Sequence, residues 1–183
     1  SVNAGSSSLK FQAYEMPEEK ILIKGRFERI GIDNSFYTIW INGEKHERKI
    51  DLPNHEVAFK IVTEELINYD VVKDLSEIDA IGHRVVHGGD KYADSVIIND
   101  DVIDTVKELS DLAPLHNPAN IMGIEASEKA FPKAKQIACF DTAFHQTMPK
   151  DRYIYAVPYS WYEKYGIRKY GFHGLSHKYI ANR

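Results

Sequence analysis

The chain begins on residues whose types suit phosphate chemistry. In Asn3-Ala4-Gly5-Ser6-Ser7-Ser8-Leu9-Lys10, a glycine and three serines lie between two segments with strand character. Small side chains there let a ligand approach the backbone. Exposed amides, three hydroxyls, Lys10 and the Asn3 amide are groups that hold phosphate and a hydrated magnesium ion. A plain solvated hairpin has the same composition, so the stretch leaves both readings open. It is not a Walker loop, which needs Gly-Lys-Ser/Thr opening a helix after a strand. Here the loop runs from strand to strand.

Four further segments carry reactive side chains. In Gly82-His83-Arg84-Val85-Val86-His87-Gly88-Gly89, Arg84 stands near a strand end with a double glycine beside it. Its planar fork can grip a carboxylate or phosphate through two parallel hydrogen bonds, or simply form a surface ion pair. His116 in Pro114-Leu115-His116-Asn117-Pro118 precedes a helix start, where backbone amides favour anions. A structural loop histidine is the plainer alternative. Asp141 follows a short apolar run and either serves the site or caps a turn. In Tyr170–His177, His173 can donate a hydrogen bond to a transferring oxygen, while His177 belongs to the following helix. Eight histidines and one cysteine raise a zinc site, but His173-x-x-x-His177 lacks the glutamate of His-Glu-x-x-His. A Ser-His-Asp hydrolase lacks its Gly-x-Ser-x-Gly elbow.

The elements that must position these groups follow from periodicity. Val2 closes a first strand, and Leu9–Tyr14 alternates as the second. Lys20–Ile30 and Ser35–Ile41 read as strands, and Asn42-Gly43 turns the chain back into Lys45–Leu52. Pro53-Asn54 starts a helix with Val57, Ala58, Ile61, Val62, Glu65 and Leu66 at helical spacing. Ile78–Val86 and Gln136–Phe140 read as buried strands, the second delivering Asp141 at its carboxyl end. Ser95–Ile98 is a short strand candidate. Asn99 or Asp100 caps a helix with Val102, Val106 and Leu109 as its buried stripe. Asn117 as cap and Pro118 at the first position open a helix running to about Ala130. Ser160–Tyr165 before Gly166 is a helical turn, and a last helix is under way at Arg183. Antiparallel strands followed by alternating helix and strand predict an α/β fold with a mixed sheet, ligands lying beyond the carboxyl ends of its strands.

Composition narrows the function. Of 183 residues, 43% are hydrophobic and 27% charged, as in an ordinary globular protein. A net charge of −4 gives no basic footprint for nucleic acid, and no basic block or long apolar run suits a membrane. Cys139 is the only cysteine, so an internal disulfide is excluded and a reduced, cytoplasmic setting is the simplest expectation. No initiator methionine or leader is present, which leads us to expect a chain trimmed at the front.

With these segments assembled, the chain resembles the acetate kinase family. The residues that carry the resemblance are NAGSSSLKFQ at 3–12, GHRVVHGG at 82–89, LAPLHNPAN at 112–120, FDTAFHQTMP at 140–149 and YGIRKYGFHGLSH at 165–177. The resemblance implies the ribonuclease-H-like fold of sugar kinases, actin and heat-shock chaperone ATPases. It implies that residues 1–183 are the N-terminal domain of an acetate-kinase-like protein whose C-terminal nucleotide-binding domain lies elsewhere. The implied reaction converts ATP and acetate into ADP and acetyl phosphate with Mg2+ or Mn2+. Propionate or butyrate kinase, and a non-catalytic anion-binding module of the same fold, are the alternatives. By the same resemblance Asn3 is associated with the metal, and Ser6, Ser8 and Lys10 approach the ATP phosphates. Arg84 binds the acyl substrate, whose methyl group meets Val86, Leu115 and Phe172. His116 and His173 lie near the transferring phosphoryl, and Asp141 is the residue usually assigned as acid or base. That last role is chemically awkward, because a carboxylic acid is already ionised at neutral pH and needs no base. Orienting Arg84 or a magnesium-bound water is the alternative role. The family implies a homodimer for the full-length protein, and an isolated first half is expected to be inactive.

Overall fold

Period-two alternation marks the first four of five opening strands, β1 (Val2–Gly5), β2 (Ser8–Glu15), β3 (Lys20–Glu28) and β4 (Phe36–Ile41), and a tight turn returns the chain as β5 (Glu44–Lys49). The computed structural model describes all residues, Ser1–Arg183. In β3 and β4 the buried set is Ile23, Phe27, Tyr37, Ile39 and Ile41, and the intervening Lys24 and Arg26 face the other side. Asn42 and Gly43, at φ 51° and 83°, form the tight turn between β4 and β5. Edge strand β5, Glu-Lys-His-Glu-Arg-Lys, is almost wholly charged, which discourages pairing with another chain.

Helix α1 (His55–Asn68) starts where the Asn54 side chain accepts from Val57 N. Its buried face, including Ala58, Phe59, Val62 and Leu66, packs on the sheet in one core cluster with Leu9, Phe27 and Ile39. Burial of a side chain such as Phe59 contributes about 1.5–3 kcal/mol. The chain continues through β6 (Ala80–Val85), β7 (Val96–Ile97), α2 (Asp100–Glu108), α3 (Asn117–Ala130) and β8 (Lys135–Phe140). It ends in α4 (Lys150–Tyr153), α5 (Tyr159–Tyr165) and α6 (Gly174–Ala181).

All eight strands form one mixed sheet in the order β5-β4-β3-β2-β1-β6-β8-β7. β1 is antiparallel to β2 but parallel to β6, and β6 is parallel to β8. The carboxyl ends of β1, β6 and β8 therefore open on one edge. α3 lies against β1 at a distance only glycine permits: a Cβ on Gly123 would stand 2.4 Å from the Ala4 Cβ.

The expected fold class and element order stand, with local differences. β1 extends to Gly5 rather than closing at Val2, because its hairpin partner runs back from Ser8. β5 stops at Lys49, three residues before the expected Leu52, because Leu52 dives into the core and its N–H bonds the Ser35 hydroxyl at 2.9 Å. The cap of α3 is His116, not Asn117: Asn117 is the first helical residue, and burial turns its amide toward the β6 loop.

Candidate active site

The β1–β2 connection is a two-residue turn, since Gly5 pairs with Ser8. Ser7 O accepts from Ile30 N at 3.0 Å, which ties the turn to the end of β3. The hydroxyls of Ser6, Ser7 and Ser8 and the N–H groups of Ser6 and Ser7 make no hydrogen bond within the chain. Asn3 and Lys10 are cross-strand partners and share a face of the sheet. On that face a groove of about 630 Å³ brings together Asn3, Lys10 and Arg84 with Lys24 and Arg26, and no acidic residue lines it. A smaller hollow of about 360 Å³, mostly apolar, opens under Ser1 at the other end of β1, away from Arg84.

Arg84, the next-to-last residue of β6, meets Asp141, the residue after β8. The Arg84 Nε lies 3.1 Å from both Asp141 oxygens and Nη2 lies 2.6 Å from Oδ2. The Asp141 side chain is 2% exposed and that of Arg84 32%. This buried, two-point pair occupies the Nε–Nη2 edge and leaves Nη1 without a partner in the chain. Asp141 is also fixed through its backbone: its N–H bonds Val85 O at 2.9 Å and its carbonyl accepts from Gly174 N at 2.9 Å. A Cβ at Gly174 would stand 2.2 Å from that carbonyl, so the start of α6 rests directly on Asp141. Immediately before it, exposed His173 is held in the left-handed region at φ 55°, strain of the kind that clusters at functional sites. The loop is braced by His145, whose Nε2 lies 3.0 Å from Phe172 O.

Two asparagines of α3 hold the other side. Asn120 donates to Ala4 O at 2.8 Å and accepts from Val86 N at 3.0 Å, clamping the carboxyl ends of β1 and β6 together. Asn117 accepts from His87 N and donates to His87 O and Val106 O, each at 3.1 Å. Thr142 accepts from Gly88 N at 3.0 Å. His87 is buried, burial lowers its pKa, and its ring packs edge-on against Tyr170 and Phe172.

Arg84 and Asp141 are thus in contact, and Asn3 and Lys10 share the groove with Arg84. Ser6, at the turn, and Ser8, opening β2, sit on the same strand edge. The three residues expected to form an apolar pocket are not enclosed together: Val86 is buried, Leu115 is 79% exposed and Phe172 is 43% exposed. His116 caps α3 and is exposed. Sequence reasoning gave Asn117 only a capping role and passed over Asn120, Thr142 and Gly174. A signal existed in Asn-Pro-Ala-Asn, whose two amides fall three residues apart on one helix face. No three His, Cys, Asp or Glu side chains converge on a metal position. Asn3 is a neutral amide, suited to a magnesium ion that keeps most of its water and takes its charge partners from phosphate.

A hairpin meander running into parallel strands, with helices packed on the sheet, is the ribonuclease-H-like fold of the sugar kinase, actin and heat-shock ATPase class. Within that class the chain belongs to the acetokinase family, which it matches over residues 1–183. It is 59% identical to an acetate kinase of Bacillus velezensis and 57% identical to one of Bacillus subtilis, in each case over 182 residues, 100% of this chain and 46% of the relative. The chain thus spans about half the length of the curated relatives it matches. The crystal structure of Porphyromonas gingivalis acetate kinase superposes with a TM-score of 0.94 at 46% identity, covering 100% of this chain and 46% of that one. A propionate kinase from Francisella tularensis gives 0.93 at 41% identity, over 99% and 46%.

Proposed function

We propose that this chain supplies the first half of an acetate kinase active site, in which ATP and acetate give ADP and acetyl phosphate by direct in-line transfer. The observation that carries this reading is the Arg84–Asp141 pair, which leaves one guanidinium edge free beside an acid-free groove and a turn with unpartnered amides. Arg84 Nη1 takes the acetate carboxylate. Ser6, Ser8 and Lys10 take phosphate oxygens, and His116 and His173 donate to the transferring phosphoryl. An acetate oxygen attacks the γ-phosphorus and the bond from that phosphorus to the ADP oxygen breaks. No proton leaves the nucleophile, so Asp141 positions Arg84 rather than acting as a base. Phosphoryl transfer asks a protein chiefly for alignment and charge stabilisation, which these donors provide. Asn3 would hold Mg2+ or Mn2+ through water, the ion neutralising charge on the phosphate oxygens. Val86, Leu115 and Phe172 would close on the methyl group only once the second half of the protein covers them. A cytoplasmic homodimer is the expected state of the full-length protein.

The test is to join residues 1–183 to the remaining half that the curated relatives carry and trap acyl phosphate as its hydroxamate. Formation of acetyl hydroxamate and ADP supports the reading; anion binding without turnover would favour a non-catalytic module. The likeness to a propionate kinase supports a second reading in which propionate is preferred. One methylene is worth only about 1–3 kcal/mol, so paired kcat/KM values for the two acids decide it.

A further inference from the structure

We propose that His55, the first residue of α1, is a positioning residue that aims the phosphate-binding turn. It rests on the acyl-kinase reading of that turn. His55 is 1% exposed and lies behind the sheet edge, on the α1 side. Its Nε2 is 2.8 Å from Gly5 O and 3.4 Å from Ser8 O, the two ends of the Ser6-Ser7 turn. Both oxygens are carbonyls, which only accept, so Nε2 carries a proton and donates. The ring has no other hydrogen-bond partner in the chain, so the turn alone satisfies this buried polar group.

The consequence follows from the planarity of the peptide. Gly5 C=O and Ser6 N–H belong to one trans unit and point in opposite directions. Drawing the carbonyl toward α1 turns the Ser6 N–H away from it, and that N–H has no partner in the chain. Ile30 N anchors Ser7 O at the far side of the same turn. His55 therefore converts a hairpin of small, mobile residue types into a fixed donor array, and α1, rooted in the core, supplies the rigidity. An amide aimed in advance stabilises developing phosphoryl charge without reorganising during the reaction. His55 touches no reacting atom and acts only through the loop.

The experiment uses the joined, full-length protein with His55→Leu, which keeps bulk without a donor, and His55→Gln, whose amide nitrogen can occupy the position of Nε2. Hydrogen exchange at the Ile30 amide, which donates to Ser7 O in the turn, and KM for ATP and for acetate are read together. Loss of one hydrogen bond is expected to raise KM for ATP about tenfold in His55→Leu while KM for acetate stays within about twofold. Ile30 exchange should accelerate in the same variant, and His55→Gln should recover both readouts. If His55→Leu does not fold, His55→Asn, polar but one bond too short to reach Gly5 O, takes its place with the same expectation. Equal losses in the Gln and Leu variants, or a parental KM for ATP and parental Ile30 exchange in His55→Leu, overturn the assignment. A parent that makes no acyl phosphate overturns the acyl-kinase reading instead, and Ile30 exchange still decides whether His55 sets the turn.

Discussion

Asp141 is held at three points by two parts of the chain: β6 holds its carboxylate through Arg84 and its N–H through Val85, and the start of α6 holds its carbonyl through Gly174. A group so fixed, with its charge already committed, is suited to aiming a guanidinium. Asp141→Asn in the joined protein is expected to raise KM for acetate about tenfold or more while the shape of the pH–rate profile is kept. Retained turnover with parental acetate and magnesium dependence would count against positioning, and loss of a limb of the profile would restore the acid–base role. Arg84→Lys should raise KM for acetate by roughly tenfold to a hundredfold, because one ammonium cannot serve Asp141 and a carboxylate with planar geometry. An unchanged KM in initial-rate measurements would remove Arg84 from the acyl site. At this scale the sequence disclosed side chains whose chemistry is unusual in a loop, such as Arg84 beside a double glycine. It did not disclose Asn117, Asn120 or His55, since a buried asparagine or histidine on a helix is marked by nothing but its partners, and those lie far away in the chain.

Elements were legible where periodicity or turn chemistry is strong. The Asn42-Gly43 hairpin, the Asn54 and Asn99 caps and the apolar stripe of α1 were all readable. Among the short helices, Tyr159–Tyr165 was readable from its glycine stop at Gly166; Ala143–Thr147 and Lys150–Tyr153 span too few residues to show a period and carry no such stop. The cap of α3 was misread because tertiary burial overrode a local preference: the Asn117 amide accepts one hydrogen bond from distant backbone and donates two instead of closing its own helix. α3 serves as a strut, and removing its clamp should show it. Asn120→Leu leaves Ala4 O and Val86 N without their side-chain partner and is expected to cost about 2–4 kcal/mol in urea unfolding. A loss well under about 1 kcal/mol would mean that water or a shifted backbone replaces the amide.

Over the whole molecule, buried histidines make stability depend on pH. His83 is 2% exposed, donates toward Gln136 at 2.7 Å, and has its pKa lowered from 6.5 to about 4 by burial. The folded state therefore binds this proton less readily than the unfolded chain. The stabilisation is whole above pH 6.5 and is lost as pH falls from there toward about 4. Over that window it amounts to about 3 kcal/mol. His87, lowered by the same cause, adds a loss of the same sign. Urea unfolding of the parent and of His83→Gln between pH 7 and 4.5 should show a shallower slope in the variant, and identical slopes would exclude His83 as the source. The sheet also imposes an order of events in time. β1 to β5 pair with immediate neighbours in sequence, and such local contacts close quickly. Val2 with His83, and Ala80–Val85 with Lys135–Phe140, close only after long stretches of chain have been made and folded. Arg84 and Asp141 sit at those late pairings, whereas Asn3 is placed by the early hairpin with Lys10, so a nascent chain emerging from the ribosome can fold its meander first and brings the three residues to one edge only when β8 arrives.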